Sequence, residues 1–311
     1  MDTPSPDDHP APAEQLDAAS VVDEPQQLWE ILPGVLDAME AVASAEGDPA
    51  LVATGFQDLD ELLGGGLHPG TLIVVAARPA IGTSTLLNDF CRSAALRQDL
   101  PTFLINYESL QKDIVWRLLS AEARIPLHSI RNGKMTDENW CRIAKVMKQV
   151  AEAPLHIATP ADWTVTQMCE QITRLHAEHQ TRLVTVDSLH LMRADVRSDT
   201  REREVTEATS ALKRLAMRLG IPIVVTAQVN RQPEARPDRA PWLCTDLRDS
   251  GAVAHIADVV ILLHREDAYV RESPRAGEAD LIVAKHRHGP AAMVTVAFQG
   301  HYSRFVDMKM P

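Results

Sequence analysis

Apolar and polar positions along this chain fall into two kinds of block. Short, mostly apolar runs at 72–77, 102–107, 155–158, 182–187 and 221–228 read as buried strands. Between them, longer segments carry apolar residues at three- and four-residue spacing, over 84–98, 111–123, 136–152, 164–180 and 201–219, the last closing at Gly220. These read as helices. Three further apolar runs, 259–264, 279–286 and 293–298, make the tail richer in strands. The alternation predicts an α/β fold, a mostly parallel sheet flanked by helices on both faces, with antiparallel strands near the C-terminus. Ligands of such sheets bind at the carboxyl ends of the strands, and Ala77, Glu108, Asp187 and Gln228 all sit at such ends.

Upstream of the sheet the pattern is different. Residues 1–26 are rich in Pro, Ala and Asp without periodicity and read as a disordered acidic leader, with a partner-binding arm as the alternative. Within 27–50, Leu28, Ile31, Leu32, Val35, Leu36, Met39 and Val42 recur at helical spacing, predicting an amphipathic linker helix to about residue 45 whose first turn Pro33 and Gly34 weaken. Its apolar face needs a cover, supplied either by its own domain, 51–311, or by a neighbouring subunit.

The strand at 72–77 has a special sequel. It breaks at Arg78 and Pro79, passes Ala80 and Ile81, turns at Gly82, and restarts as a helix through Thr83, Ser84 and Thr85. Strand, tight turn and helix N-terminus form the phosphate-cradling unit of P-loop proteins, where backbone N–H groups and the helix dipole converge on an anion. The P-loop pattern is G-x-x-x-x-G-K-[ST], its lysine reaching the β/γ-phosphates and its hydroxyl holding Mg²⁺. Gly82 and the hydroxyl of Ser84 are present; Thr83 stands where the lysine belongs. Backbone amides still allow nucleotide binding, whereas hydrolysis, which depends on electrostatic positioning, suffers more. Arg78, four residues ahead of Gly82, is a cation that could lend charge to the turn.

Composition narrows the setting. The 311 residues are 45% apolar, enough for a sizeable core. Cys91, Cys141, Cys169 and Cys244 are widely spaced with no C-x-x-C pair, which argues against a disulfide framework or zinc site and suits a reducing cytoplasm. No apolar run approaches the roughly 18 residues of a membrane span, and the first 77 residues hold no Lys or Arg, which excludes a signal peptide with a basic start. The net charge of −12 is uneven: twelve of 43 acidic residues lie in 1–50, leaving 31 against 31 Lys and Arg in 51–311. A neutral domain can still bind nucleic acid through a local basic stripe.

Seven short segments then stand in order: Thr54-Gly-Phe-x-x-Leu-Asp60, Ala76-Ala-Arg-Pro-x-x-Gly82, Val186-Asp-x-Leu-x-Leu-Met192, Gln228-Val-Asn-Arg231, Asp246-Leu-Arg-Asp-Ser-Gly251, Lys285-x-Arg-x-Gly-Pro290 and Ser303-Arg-Phe305. The series, covering about 51–307, resembles the C-terminal, RecA-like motor domain of DnaB-type replicative DNA helicases. The resemblance implies a RecA-like P-loop NTPase core using ATP and Mg²⁺. Ser84 matches the Mg²⁺ ligand, Asp187 the Walker B carboxylate that holds the metal, Glu108 the carboxylate that polarises the attacking water, and Gln228 the sensor of the γ-phosphate. Lys285 and Arg287 match cations that act on a neighbour's ATP. Single-stranded DNA would run past the loops after Asp187 and Gln228, which hold Arg193, Arg197, Arg201, Arg231, Arg236 and Arg239. Arg193 to Arg203 alternate with Asp and Glu, so a salt-bridged helix is the competing reading. The helix at 28–45 resembles the family's linker helix, which packs on the adjacent subunit of a hexameric ring, while the family's primase-engaging N-terminal helical domain has no counterpart here. Two functions follow from the resemblance: an ATP-driven helicase, forming a homo-oligomeric ring or a mixed ring with a complete helicase, or a degenerate nucleotide- and DNA-binding subunit that does not turn over ATP.

Overall fold

The computed structural model describes residues 25–44, 48, 50–196, 198–248 and 250–308. The leader expected over 1–26 lies almost wholly outside the described residues. Helix α1 (Leu28–Ser44) continues through Pro33 and Gly34, and Leu28, Trp29, Leu32, Leu36 and Met39 are all exposed on it. Among the described residues nothing covers this apolar face.

From residue 51 the described elements run α2 (Gln57–Leu62), β1 (Leu72–Ala77), α3 (Thr83–Arg92), β2 (Thr102–Asn106), α4 (Gln111–Ala123), α5 (Leu127–Arg131), α6 (Asp137–Glu152), β3 (Leu155–Ala158), α7 (Val165–His179), β4 (Leu183–Asp187), α8 (Arg201–Leu219), β5 (Ile223–Gln228), α9 (Ser250–Ile256), β6 (Val259–His264), β7 (Glu278–His286), β8 (Met293–Gln299) and β9 (Arg304–Asp307). The nine strands form one sheet in the order β3-β2-β4-β5-β1-β6-β7-β8-β9. From β3 to β6 all pairs are parallel; from β6 to β9 all are antiparallel.

Strand β1 is buried along its whole length because both of its faces are covered. Leu72, Val74 and Ala76 pack with α7, α8 and α9, whereas Ile73, Val75 and Ala77 pack with α2, α3 and the antiparallel strands. The period of two along the strand thus divides one apolar run between two cores. Register then aligns the functional strand ends: Ala77 lies opposite Gln228, and Asn106 opposite Asp187.

The structure departs from the sequence pattern in small ways. The helix expected over 84–98 begins at Thr83 and passes at Ser93–Arg97 into a single π-helical segment. Helices α2, α5 and α9 are five to seven residues long, too short to set up a period of their own. No described helix is long and apolar enough to cross a membrane.

Candidate functional site

The turn after β1 is shaped by two residues of positive φ, Ala80 at 67° and Gly82 at 126°. A Cβ on Gly82 would stand 3.0 Å from Cζ of Phe305, so conformation and space both call for glycine. Helix α3 starts immediately afterwards with no side chain capping it. Its first N–H groups lack intrahelical acceptors and present the positive end of the dipole to the turn. Arg78 and the segment Gly82 to Thr85 are partly exposed, Pro79 and Ala80 are exposed, and Ile81 is buried. This is an open anion cradle.

Two arginines stand beside the cradle, Arg78 committed elsewhere and Arg265 donating Nη1 to the Ile81 carbonyl of the turn itself at 3.4 Å. Arg78 Nη1 donates to the Val229 carbonyl at 3.1 Å and Nη2 pairs with Glu234 at 2.7 Å. Arg265 pairs with Asp267 at 3.0 Å and lies 3.7 Å from the Phe298 ring centroid. The expectation that Arg78 lends its charge in place of the lysine is therefore corrected: its carboxylate partner on the loop after β5 holds it there.

Asp187, buried at the end of β4, accepts from Asn106 Nδ2 at 3.0 Å and from Thr226 Oγ1 at 2.6 Å. Asn106 Oδ1 in turn accepts from the backbone N–H of Glu108 at 2.9 Å and of Ser109 at 2.6 Å. One neutral side chain thus links the two acids. Burial, and then the charge of Asp187, raise the pKa of Glu108, while Arg117 opposes the shift; Arg117 Nη1 also donates to Ser109 Oγ at 3.2 Å. The peptide Asp187–Ser188 is cis, and the buried Ser188 Oγ has no hydrogen-bond partner among the described residues. Hard oxygen donors and an orphaned hydroxyl beside Asp187 fit Mg²⁺, which keeps waters and takes most of its ligands from substrate phosphates. Ser84 and Asp187 would hold it, Asp187 directly or through water, since each of its oxygens accepts one hydrogen bond and keeps a further lone pair.

Gln228 ends β5 beside the cradle, and its Oε1 accepts from Arg248 Nη1 at 3.0 Å. Ala77, the cradle, Asn106, Glu108, Asp187 and Gln228 therefore share one edge of the sheet. Lys285 and Arg287 do not. Lys285 pairs in register with Val260, which pairs with Val74, and Arg287 N donates to Asp258 O, whose own N–H donates to Leu72 O. Both lie level with the start of β1, roughly 10 to 16 Å back from Ala77 at about 3.3 Å per residue. Lys285 Nζ donates to the carbonyls of Ala254, His255 and Ala257 at 2.8, 2.9 and 2.6 Å, closing the end of α9. Burial and the charge of Arg287 lower its pKa. Arg287 holds Asp258 at 2.9 Å with its side chain 43% exposed.

The arginines read as DNA contacts divide. Arg197 lies outside the described residues. Arg193, Arg231 and Arg239 are exposed. Arg201 instead bonds Glu204 at 2.6 Å and the carbonyls of His190 and Met192, as the salt-bridged alternative required. Arg236 forks onto the buried Asp246 at 2.7 Å per arm. Those two hold loops in shape. Sequence reasoning missed Asn106, Thr226, Arg117 and Asp258; the signal available for the first two was a polar residue inside an otherwise apolar strand.

Comparison with known proteins agrees with this geometry. Residues 52–307 match the model of the DnaB-like helicase C-terminal domain. The chain is 47% identical over 281 residues to the replicative DNA helicase DnaB of Leifsonia xyli subsp. xyli, covering 90% of this chain and 61% of that protein. It is 46% identical over 238 residues to DnaB of Mycobacterium leprae, covering 76% and 39%. The chain thus spans less than two thirds of the length of these curated relatives. Among solved structures, one ATPase domain superposes with a TM-score of 0.84 at 26% identity, over 90% of this chain and 99% of that one. A DnaB-like replicative helicase studied with primase gives 0.82 at 26%, over 94% and 69%. The RadB recombinase, at 0.52, 20% identity and cover of 83% and 100%, shares the fold.

Proposed function

The chain belongs to the DnaB-like helicase C-terminal domain family, and from that premise we propose that residues 51–311 are an ATP-binding motor domain that moves on single-stranded DNA and unwinds duplex during replication in the cytoplasm. The observation that carries the reading is the link from Asp187 through Asn106 to Glu108 beside the Gly82 cradle. Mg²⁺·ATP would sit on Gly82 to Thr85, with Asp187 holding the metal directly or through water, Glu108 orienting the attacking water and Gln228 reporting the γ-phosphate to the loop that follows it. Arg193, Arg231 and Arg239, all exposed, would track a DNA backbone.

The ring is the expected assembly, a hexamer of this chain or a mixed ring with a complete helicase. Its support is the separation of Arg287 from its own cradle, which sets this arginine apart from the nucleotide its own subunit would hold. The uncovered apolar face of α1, within the linker assigned to 27–50, supports the same arrangement by calling for a second subunit.

A second reading, a nucleotide- and DNA-binding subunit without turnover, is favoured by Thr83 and by the Arg78–Glu234 pair, which leaves the cradle without either cation. ATP turnover with and without single-stranded DNA, measured for the parent chain, Thr83→Lys and Glu108→Ala, separates the two. DNA-stimulated hydrolysis by the parent, lost in Glu108→Ala, establishes the motor. Turnover only in Thr83→Lys, higher by ~10²–10³ as for a restored transition-state donor, establishes the subunit. Silence from both, with no nucleotide binding, removes both readings.

A further inference from the structure

Helices α7 and α8 cover the sheet face opposite α3, and a groove of ≈ 900 Å³ runs between them. Its floor is apolar. Val165, Ala208 and Leu215 are buried there, and Cys169 and Ala211 pack against the same core.

Charge is sorted along this groove. At the end nearest the loop after β4, the acids already have donors. Asp195 accepts from the Thr166 hydroxyl at 2.9 Å and from its backbone N–H at 3.2 Å. Glu204 pairs with Arg201 at 2.6 Å and Glu207 with Arg203 at 3.2 Å. At the other end Arg174, Arg214 and Arg218 line the groove with exposed side chains. Arg218 donates to the Thr173 hydroxyl at 3.4 Å. Among the described residues Arg174 and Arg214 have neither an ion pair nor a hydrogen bond, and Glu170, one turn before Arg174, pairs with none of the three. The helix dipole favours Arg218, in the last turn of α8; it gives no account of Arg174 and Arg214. Arg214 and Arg218 also stand four residues apart on one helix face, where like charges repel.

Such a surface fits an acidic segment that brings apolar residues of its own, and the chain supplies one. Residues 14–24, Glu-Gln-Leu-Asp-Ala-Ala-Ser-Val-Val-Asp-Glu, hold four acids, no base and the apolar Leu16, Val21 and Val22. They lie outside the described residues and precede α1. Extended, the stretch from Leu28 back to Asp17 spans roughly 36–40 Å, twice the radius of gyration of a domain of this size, about 18 Å. The segment is therefore long enough to cross a face of the domain.

We propose that residues 14–24 of the chain's own leader dock in the groove between α7 and α8, their carboxylates meeting Arg174, Arg214 and Arg218 and their apolar residues covering the floor. The far end of the groove is formed by Ala194 to Val196, continuous with Arg193, whose carbonyl accepts from Val165 N at 3.0 Å. A docked leader thus lies against the loop after β4. The inference concerns a surface away from the cradle and holds whether or not the chain hydrolyses ATP.

The test uses the whole chain with the photoreactive residue p-benzoylphenylalanine in place of Ser20, and peptide mapping of the cross-links it forms. Cross-links are expected on residues 165–174 and 207–218, fading as salt rises from about 0.05 to 0.5 M. Arg174→Glu, Arg214→Glu and Arg218→Glu together should lower their yield about tenfold, as for three exposed ion pairs reversed. Adding Glu14→Lys, Asp17→Lys, Asp23→Lys and Glu24→Lys to that chain should restore it. A circular dichroism melt checks that the arginine variant is folded. The four leader substitutions alone, which touch no residue of the folded domain, should give the same loss. Cross-links confined to α1, or to the loop after β5 around Arg231 and Arg239, give the leader another seat and overturn the inference. So does a yield that the arginine and leader substitutions leave unchanged, or the absence of any cross-link beyond the leader itself. Labelled oligo-dT is the rival occupant: affinity lost in the arginine variant with cross-links unchanged gives the groove to DNA instead.

Discussion

Asn106 donates its amide N–H to Asp187 at 3.0 Å across the β2–β4 register, and its amide oxygen receives the backbone N–H groups of Glu108 and Ser109. The buried acid and the more exposed one are therefore positioned by a single uncharged group. Asn106→Ala should leave Asp187 with one side-chain donor, Thr226, and release the backbone at Glu108. The expected cost is about 1–3 kcal/mol of stability, that of an unsatisfied buried polar group, together with weaker Mg²⁺-dependent nucleotide binding. Asn106→Asp should cost more, since it places a second carboxylate against Asp187. Urea unfolding of both variants beside the parent measures the difference; equal stability of all three would sever this link.

The cradle, Asp187, Glu108 and Gln228 were legible in the sequence because each closes a short apolar run, and runs that close in a parallel sheet share an edge. The partnership through Asn106 was not legible. It depends on register between strands 81 residues apart, and a run of apolar residues fixes a strand without fixing its neighbour. The arginines show the same limit from the other side. Arg231 and Arg236 look alike in sequence, yet one is exposed and the other holds an acid ten residues downstream. The exposed apolar face of α1 was written in its spacing.

Glu108 supplies a pH signature. Burial and the charge of Asp187 raise its pKa, and Arg117 resists. Between its ordinary value and the raised one, the folded chain holds a proton that the unfolded chain has released, so this group lowers stability as pH rises through that window. Arg117→Ala removes the resisting charge and should move the Glu108 titration further up. Carboxyl-selective NMR titration of parent and variant reads both values. A Glu108 that titrates at or below its ordinary value in the parent, or moves down in the variant, would contradict the geometry.

Arg236 and Arg231 should separate loop architecture from ligand contact. Arg236→Ala strips the fully buried Asp246 of both guanidinium bonds and should destabilise the chain by about 3–5 kcal/mol, as for a buried ion pair broken on one side. Arg231 is exposed, and Arg231→Ala should change stability by less than about 0.5 kcal/mol. Denaturant midpoints decide, and similar losses for both would undo the assignment of Arg236 to structure.

Asp258 ties Arg287 to the body of its own subunit. Only 1% exposed, it accepts from Leu72 N at 2.8 Å, Lys213 Nζ at 2.7 Å and Arg287 Nη1 at 2.9 Å. It therefore anchors the start of β1, the body of α8 and the arginine read as acting on a neighbour. Asp258→Ala leaves Lys213 without its acid in a partly buried setting and should cost about 3–5 kcal/mol. Stability alone would not distinguish an anchor from a positioning group. Asp258→Asn does, because its one amide oxygen can still accept from Leu72 N and Lys213 Nζ in the place of Oδ2, while an NH2 in the place of Oδ1 releases Arg287. In rings mixed between Glu108→Ala subunits and Asp258→Asn subunits, in a Thr83→Lys background, hydrolysis at a competent cradle should fall when the neighbour presenting Arg287 carries Asp258→Asn. The same substitution within the hydrolysing subunit should leave its rate near that of the parent. Equal effects from both placements would show that Asp258 acts on its own subunit, through α8 and β1, and that Arg287 has no role across the interface.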